Sequence, residues 1–346
     1  MNVIIGSVGI SKYYGAVSPV YYMLKPRYDS DDVRFYNYIF QTNEFQNRLK
    51  GYGNGILEIR MRIQMLKLNT VELPIPPSEE QFKIANFLDR KCSQIDAFIS
   101  LEEKEIEKLK EYKTAVITKA VTKGLNENVP MKESGIEWIG QVPKSWELKK
   151  LKFISNSFYK GNGITKEDIV DNGNTPCVRY GDIYTKYENC FNECLVRTNI
   201  EKISCPQYFE HGDVLFTATG ELIEEIGKSV VYLGKEKCLA GGDVIVLKHN
   251  QNPEFFGYAL DSHYARIQKG YGKAKLKVVH TSVFIIGNMY VALPSIEEQD
   301  RIAKYLNKKS KEINDLIEIK HRKIEELETY KRSMIYEYVT GKKRCI

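Results

Sequence analysis

A chain of 346 residues, 42% apolar and 28% charged, is long enough for about two domains, because single cores stop growing near 250 to 300 residues. Its formal charge of +6 permits a polyanionic partner without requiring one, and the surplus sits at the two ends, about +3 in residues 1–74 and about +3 in residues 294–346. No apolar run approaches the ~20 residues needed to cross a bilayer, which excludes a helical membrane protein.

Asn2, Gly6 and Ser7 interrupt the first apolar stretch, with no basic leader before it and no small-residue cleavage site after it, so a cytoplasmic location is expected. Seven cysteines at irregular spacings (Cys92, Cys177, Cys190, Cys194, Cys205, Cys238, Cys345) form neither a disulfide framework nor paired zinc knuckles. They read as reduced thiols, mostly buried.

Residues 1–74 contain YYMLK, a strand pattern starting at Tyr21, then a polar turn, an aromatic-rich helix and a Gly-Tyr-Gly loop at Gly51 to Gly53. Residues 75–124 read as one helical arm. A proline precedes a capping box of Ser78 with Gln81, and apolar residues recur at three- and four-residue steps through Ile84, Phe87, Leu88, Ile95, Phe98, Ile99, Ile106 and Leu109. A linker at 125–145 leads to residues 146–293, where the β-branched and aromatic runs CVRYGDIYTKY, GDVLFTATG, SVVYLG and GDVIVLK alternate with Gly, Asn and Asp turns. That segment ends as the first does, with strand, polar turn, aromatic helix and a Gly-Tyr-Gly loop at Gly270 to Gly272.

Residues 294–346 repeat the arm. PSIEEQDRIAKYLNKKS aligns with PPSEEQFKIANFLDRKC without a gap at an offset of about 218 residues, keeping Glu79, Glu80, Gln81, Ile84, Ala85, Leu88, Ile95, Ile99, Ile106, Leu109, Tyr112, Lys113 and Ile117 as identities. Ser295 with Glu298 is the expected capping box of the second copy. At 1.5 Å rise, ~45 helical residues span about 65 to 70 Å. One apolar seam per copy predicts that the copies pack on each other as an antiparallel coiled coil with pseudo-twofold symmetry. The fold class is α/β (α+β), with β-rich domains joined by two long helical arms. Met1 aligns with about Glu221 of the second domain, so counterparts of roughly Trp138 to Gly220 do not precede the first arm.

This layout resembles the specificity subunit of type I restriction-modification enzymes. The most specific stretches are LPIPPSEEQ and ALPSIEEQ at the starts of the arms, and MKESGIEWIGQVPKSWELKKL from Met131 to Leu151. The resemblance implies that each globular segment is a target-recognition domain reading half of a split site in double-stranded DNA. It implies arms that act as spacer and dock methyltransferase subunits, which motor-nuclease restriction subunits then join. The first recognition domain departs from the family by lacking its front, and an inactive truncated cassette is one alternative reading. Another is a coiled-coil scaffold whose globular domains bind protein.

The near misses to catalytic motifs agree with a non-enzymatic chain. Asn252, Pro253, Glu254 and Phe255 resemble an adenine methyltransferase loop, but Glu254 replaces its second proline. Gly227, Lys228 and Ser229 resemble the end of a phosphate-binding loop, but Leu222 stands where the first glycine belongs. His211, His249, His263, His280 and His321 show no metal-ligand spacing, so no metal site is expected. No cofactor is expected on this chain, and S-adenosylmethionine, ATP and magnesium would belong to partner subunits.

DNA contacts need polar and basic side chains on loops that can reach phosphates and base edges. In the second domain the candidates are Lys160, Asn162, Lys166, Arg179, Tyr180, Thr217, Thr219, Tyr271, Lys273, Lys275 and Lys277. In the first they are Lys12 and Tyr13, beside Ser11 and Tyr14, then Tyr52, Asn54, Arg60 and Arg62. With a duplex turn of about 34 Å, arms of this length suit two readers between one and two turns apart.

Overall fold

The computed structural model describes residues 8–19, 21–53, 63–223, 225–271 and 279–345. In chain order the elements begin with helices α1 (Val33–Gln41), α2 (Asn43–Lys50), α3 (Met65–Leu68) and the first arm, α4 (Ser78–Lys123). Next come strands β1 (Met131–Glu133), β2 (Gln141–Pro143), β3 (Glu147–Lys150), β4 (Ser155–Lys160) and β5 (Thr175–Val178), then helix α5 (Tyr180–Lys186). Strands β6 (Cys190–Phe191), β7 (Val196–Thr198), β8 (Tyr208–Phe209), β9 (Val214–Thr217) and β10 (Thr219–Gly220) follow. After β11 (Ser229–Tyr232), β12 (Cys238–Ala240) and β13 (Val244–His249) the chain forms helices α6 (Pro253–Asp261) and α7 (His263–Gly270). It ends with β14 (Val279–His280), α8 (Val283–Gly287), β15 (Tyr290–Leu293) and the second arm, α9 (Ile296–Val339). The arms contain 46 and 44 residues, or about 69 and 66 Å at helical rise. Among the described residues no helix is long and apolar enough to cross a membrane.

Two compact units cut across both arms, one of residues 1–107 with 316–346 and one of residues 108–315. In the first unit α1 lays Phe35 and Ile39 against Ile84, Ala85 and Leu88 of α4 and Met334, Ile335 and Val339 of α9 in one buried cluster. The arms run antiparallel there. Lys331 Nζ donates to Asp96 Oδ1 at 2.6 Å and Lys320 Nζ donates to Glu102 Oε2 at 3.0 Å, while Lys320 also pairs with Glu105 and Lys323 with Glu102. Under the 218-residue offset this cluster maps onto itself, because Glu102 is the counterpart of Lys320 and Glu105 of Lys323.

The second unit has the same junction with more built on it. Phe255 and Ala259 of α6 join Ile302, Ala303 and Leu306 of α9 and Ala120 and Val121 of α4 in one core, and Lys113 Nζ donates to Asn314 Oδ1 at 2.9 Å. Beyond it lie a five-stranded sheet in the order β4-β13-β9-β11-β6 and a four-stranded sheet in the order β7-β5-β12-β8. Strand β13 is paired on both sides, with Val246 opposite Tyr159 of β4 and Leu215 of β9.

Three local expectations are corrected. The run starting at Cys177 is strand only to Val178 and becomes helix α5 at Tyr180, because Arg179 caps it. The Arg179 backbone N–H donates to Asp182 Oδ2 at 3.0 Å and the Asp182 N–H donates to the Arg179 carbonyl. Tyr21 to Lys25 form no strand, and Tyr21, Met23 and Leu24 are exposed, since no described strand of the first unit lies beside them. The first capping box does not form, and the second forms by half, with the Ser295 hydroxyl accepting from the Glu298 N–H at 3.4 Å. Gln81 turns inward instead, and Glu298 Oε2 accepts from the indole Nε1 of buried Trp146 at 3.1 Å.

Candidate nucleic-acid interface

Three sequence-distant segments of the second unit meet around the turn Gly241 to Asp243. Asn162 N–H donates to the Ala240 carbonyl at 3.1 Å, Gly241 N–H to the Val178 carbonyl at 2.8 Å, and Ala218 N–H to the Asp243 carbonyl at 2.8 Å. The approach is so close that a side chain on Gly161 would collide with the backbone of Ala240 and Gly241, and one on Gly241 would lie 3.2 Å from the Arg179 Cα. The turn therefore gathers the 160–163 loop, the start of α5 and the end of β9 at one edge of the two sheets. Sequence reasoning did not single out this hub, although the doubled glycine in CLAGGDV was its signal.

On that edge, Lys160 Nζ pairs with Asp243 Oδ1 at 2.9 Å. Asn162 Nδ2 donates to the Ser204 carbonyl at 2.9 Å, and exposed Lys166 follows on the same loop. The Arg179 guanidinium holds buried Asp182, with Nε 3.1 Å from Oδ2, and Lys186 Nζ reaches Oδ1 at 3.1 Å. Burial pushes the Asp182 carboxyl up, but these donors outweigh it and keep it below the usual carboxylate range. Arg179 is thereby committed to its own helix cap, while neighbouring Tyr180 is exposed.

Thr217 leaves the set of groove-facing candidates. It is fully buried, and its hydroxyl lies 2.8 Å from the Tyr184 hydroxyl, which also donates to the Thr219 carbonyl at 3.2 Å. Thr219 is half-buried, with its hydroxyl 3.1 Å from His280 Nδ1. Tyr271 is well exposed at the end of α7, its ring centroid 5.1 Å from that of Trp138. Lys273, Lys275 and Lys277 lie outside the described residues. In the first unit Lys12 and Tyr13 are exposed, Tyr14 likewise, and Ser11 Oγ donates to the Tyr13 carbonyl at 2.9 Å. Tyr52 packs against the core cluster, and Asn54, Arg60 and Arg62 lie outside the described residues. The edge is thus polar, with several of its cations already neutralised by carboxylates.

The methyltransferase-like tetrad is explained by helix capping. The Asn252 side chain accepts from Phe255 N–H at 2.8 Å and Pro253 occupies the first turn of α6. Among the described residues no group of three or more His, Cys, Asp or Glu side chains is placed to hold a metal ion. Cys92, Cys177, Cys194 and Cys238 are buried free thiols, whereas Cys205 is exposed.

Residues 2–111 and 143–339 match the family described as the type I restriction modification DNA specificity domain. The type I restriction enzyme MjaVIII specificity subunit of Methanocaldococcus jannaschii is 26% identical over 323 residues, covering 90% of this chain and 69% of that protein. Among solved structures, a chain from work on complex assembly and conformational transition of the type I R-M system superposes with a TM-score of 0.69 at 16% identity, covering 89% of this chain and 71% of that one. The HsdS subunit from Thermoanaerobacter tengcongensis gives a TM-score of 0.50 at 16% identity over 89% and 70% of the two chains. At such identities the superpositions speak for the fold, and the family match carries the assignment: this chain belongs to the type I restriction-modification DNA specificity family.

Proposed function

We propose that the chain is the DNA-reading subunit of a type I restriction-modification complex, with recognition domains that face the halves of a bipartite site and arms that carry the methyltransferase subunits. The observation that supports it most is the repeated junction in which a globular domain sits on the first turns of one arm and the last turns of the other. A doubled junction of this kind suits two half-sites and two equivalent partners.

Docking along the arms is supported by a stripe of exposed apolar residues at equivalent places on both. Phe98 corresponds to Leu316, Leu101 to Ile319 and Tyr112 to Tyr330, and all six are exposed. Motor-nuclease subunits join that core, and S-adenosylmethionine, ATP and magnesium act on those partners. Because Lys160 and Arg179 are already paired with Asp243 and Asp182, the chain alone binds duplex DNA weakly and the methyltransferase supplies much of the phosphate clamp.

Duplex DNA is therefore expected to be shifted, in a salt-dependent way, by this chain together with its methyltransferase and hardly at all by either alone. Loss of methylated adenines at one bipartite sequence on deleting the gene is the companion result. An unchanged methylation map after deletion would overturn the proposal.

A further inference from the structure

Two buried glutamines, one at the start of each arm, keep both their identity and equivalent partners in both units. Gln81 and Gln299 are each 1% exposed. Gln81 Oε1 accepts from Asp32 N–H at 3.1 Å while its Nε2 donates to the Pro76 carbonyl at 2.9 Å. Gln299 Oε1 accepts from Asn252 N–H at 3.0 Å while its Nε2 donates to the Pro294 carbonyl at 3.0 Å and to Gln251 Oε1 at 2.8 Å. Asp32 and Asn252 are the N-caps of α1 and α6, the helices that begin each domain's seat on its arm.

A second tie lies eight residues further along each arm. Tyr38 Oη donates to Asp89 Oδ1 at 2.7 Å in one unit, and Tyr258 Oη donates to Asn307 Oδ1 at 2.9 Å in the other. Eight helical residues advance about 12 Å along the arm and about 80° around its axis, which keeps both ties on the side that faces the domain. Apolar packing between these ties has no preferred direction, and its residues drift between the copies, from Ile39 to Ala259 for example. Hydrogen bonds are directional, so two of them at separated points fix how the domain is turned on its arm.

We propose that Gln81 and Gln299, helped by Tyr38 and Tyr258, are positioning residues that fix the angle of each recognition domain on its arm and so narrow the accepted gap between half-sites. This rests on the DNA-reading function proposed above. A domain of this size has a radius of roughly 15 Å. Turning its reading edge by about 13° therefore moves that edge by about 3.4 Å, the rise of one base pair. A glutamine is suited to the task because one planar group supplies both an acceptor for the cap N–H and donors for the carbonyls on its other side.

The test uses the chain assembled with its methyltransferase subunits in cells, with methylated adenines mapped for wild type, Gln299→Leu and Tyr258→Phe. Wild type is expected to methylate one gap length. Gln299→Leu is expected to raise methylation of sites whose gap differs by one base pair by roughly tenfold, on the scale of one relaxed base-pair mismatch. Tyr258→Phe, which removes one hydroxyl and spares the fold, should do so to a smaller degree and decides the matter if Gln299→Leu gives no assembled complex. A single unchanged gap in Tyr258→Phe and in any assembled Gln299→Leu would overturn the proposal. Amide exchange on the purified chain separates its failure from that of the DNA-reading function. Faster exchange at Asn252 with α6 still protected supports a clasp that sets orientation, whereas loss of protection throughout α6 reduces it to a fold-holding contact and sinks the proposal. A wild-type complex that methylates no adenine removes the DNA-reading function instead.

Discussion

The two units build the same junction from the same kinds of residue and differ in what stands on it. In the second unit β13 lies between β4 and β9 and its Val244, Ile245, Val246 and Leu247 are fully buried. The related stretch Tyr21, Tyr22, Met23 and Leu24 of the first unit is exposed and forms no strand. An apolar, β-prone pattern becomes a strand only where neighbours take its backbone donors and acceptors and cover its faces. A helix satisfies its own backbone, so α1 and α6 form alike in both units and seat alike on the arms.

The largest effect should come from the residues that make the junctions. Phe35 and Phe255 occupy corresponding places in α1 and α6 and neither has any exposed surface. Replacing either by Ala is expected to cost about 3 to 5 kcal/mol in denaturant unfolding, the usual range for a fully buried phenylalanine. Equal losses would show that the junctions are equally tight despite their different superstructures. A loss below ~1 kcal/mol at Phe35 alone would break the equivalence, since a yielding site collapses around the cavity.

A buried lysine marks the next difference. Lys269 in α7 is fully buried, where the corresponding position in α2 is Leu49. Its Nζ donates to Ser229 Oγ at 3.2 Å and lies 5.2 Å from the centre of the Phe216 ring. Burial pushes the ammonium from 10.5 down to about 8; Asp261 opposes that shift and Arg266 adds to it. Between about pH 8 and 10.5 the unfolded chain binds this proton and the folded chain does not, so this group makes stability rise with pH across that window. Below it both states are protonated and the whole penalty is present. Lys269→Leu is therefore expected to stabilise the second unit by about 1 to 3 kcal/mol at pH 7, with the advantage shrinking toward pH 10. Urea midpoints of the two proteins at pH 7 and pH 10 check the sign. A variant less stable than wild type at pH 7 would mean that the ammonium is better solvated than its surroundings indicate.

The arms were legible in the sequence because a helix's period and its repeat are local and cumulative. Ile84, Leu88 and Ile95 and their counterparts Ile302, Leu306 and Ile313 are all buried where the spacing put them. Much of the second domain's strand pattern was legible for the same reason. The roles of single polar residues were not. Gln81 fits a capping-box spacing, yet its amide is claimed by Asp32 and Pro76, contacts that depend on how α1 docks. Thr217 looked like a loop hydroxyl, and only the packing of α5 on β9 shows it buried against Tyr184. The Gly241 hub depends on three loops meeting it, which no one-dimensional pattern encodes.

The smallest difference is also the cleanest to exchange. Lys331 with Asp96 in the first unit and Lys113 with Asn314 in the second are counterparts at the 218-residue offset, one an ion pair and the other a hydrogen bond from the ammonium to an uncharged amide. Asp96→Asn should leave the contact but remove its charge, and Asn314→Asp should convert the second contact into a pair like the first. Partly exposed pairs of this kind contribute up to about 1 kcal/mol at low salt and less as ions screen them. Unfolding midpoints are therefore expected to fall slightly for Asp96→Asn and rise slightly for Asn314→Asp, with both shifts fading between low and 1 M salt. Equal and salt-insensitive midpoints would show that the charge is incidental and that the lysine's reach across the seam, available to Asp and Asn alike, is what the repeat retains.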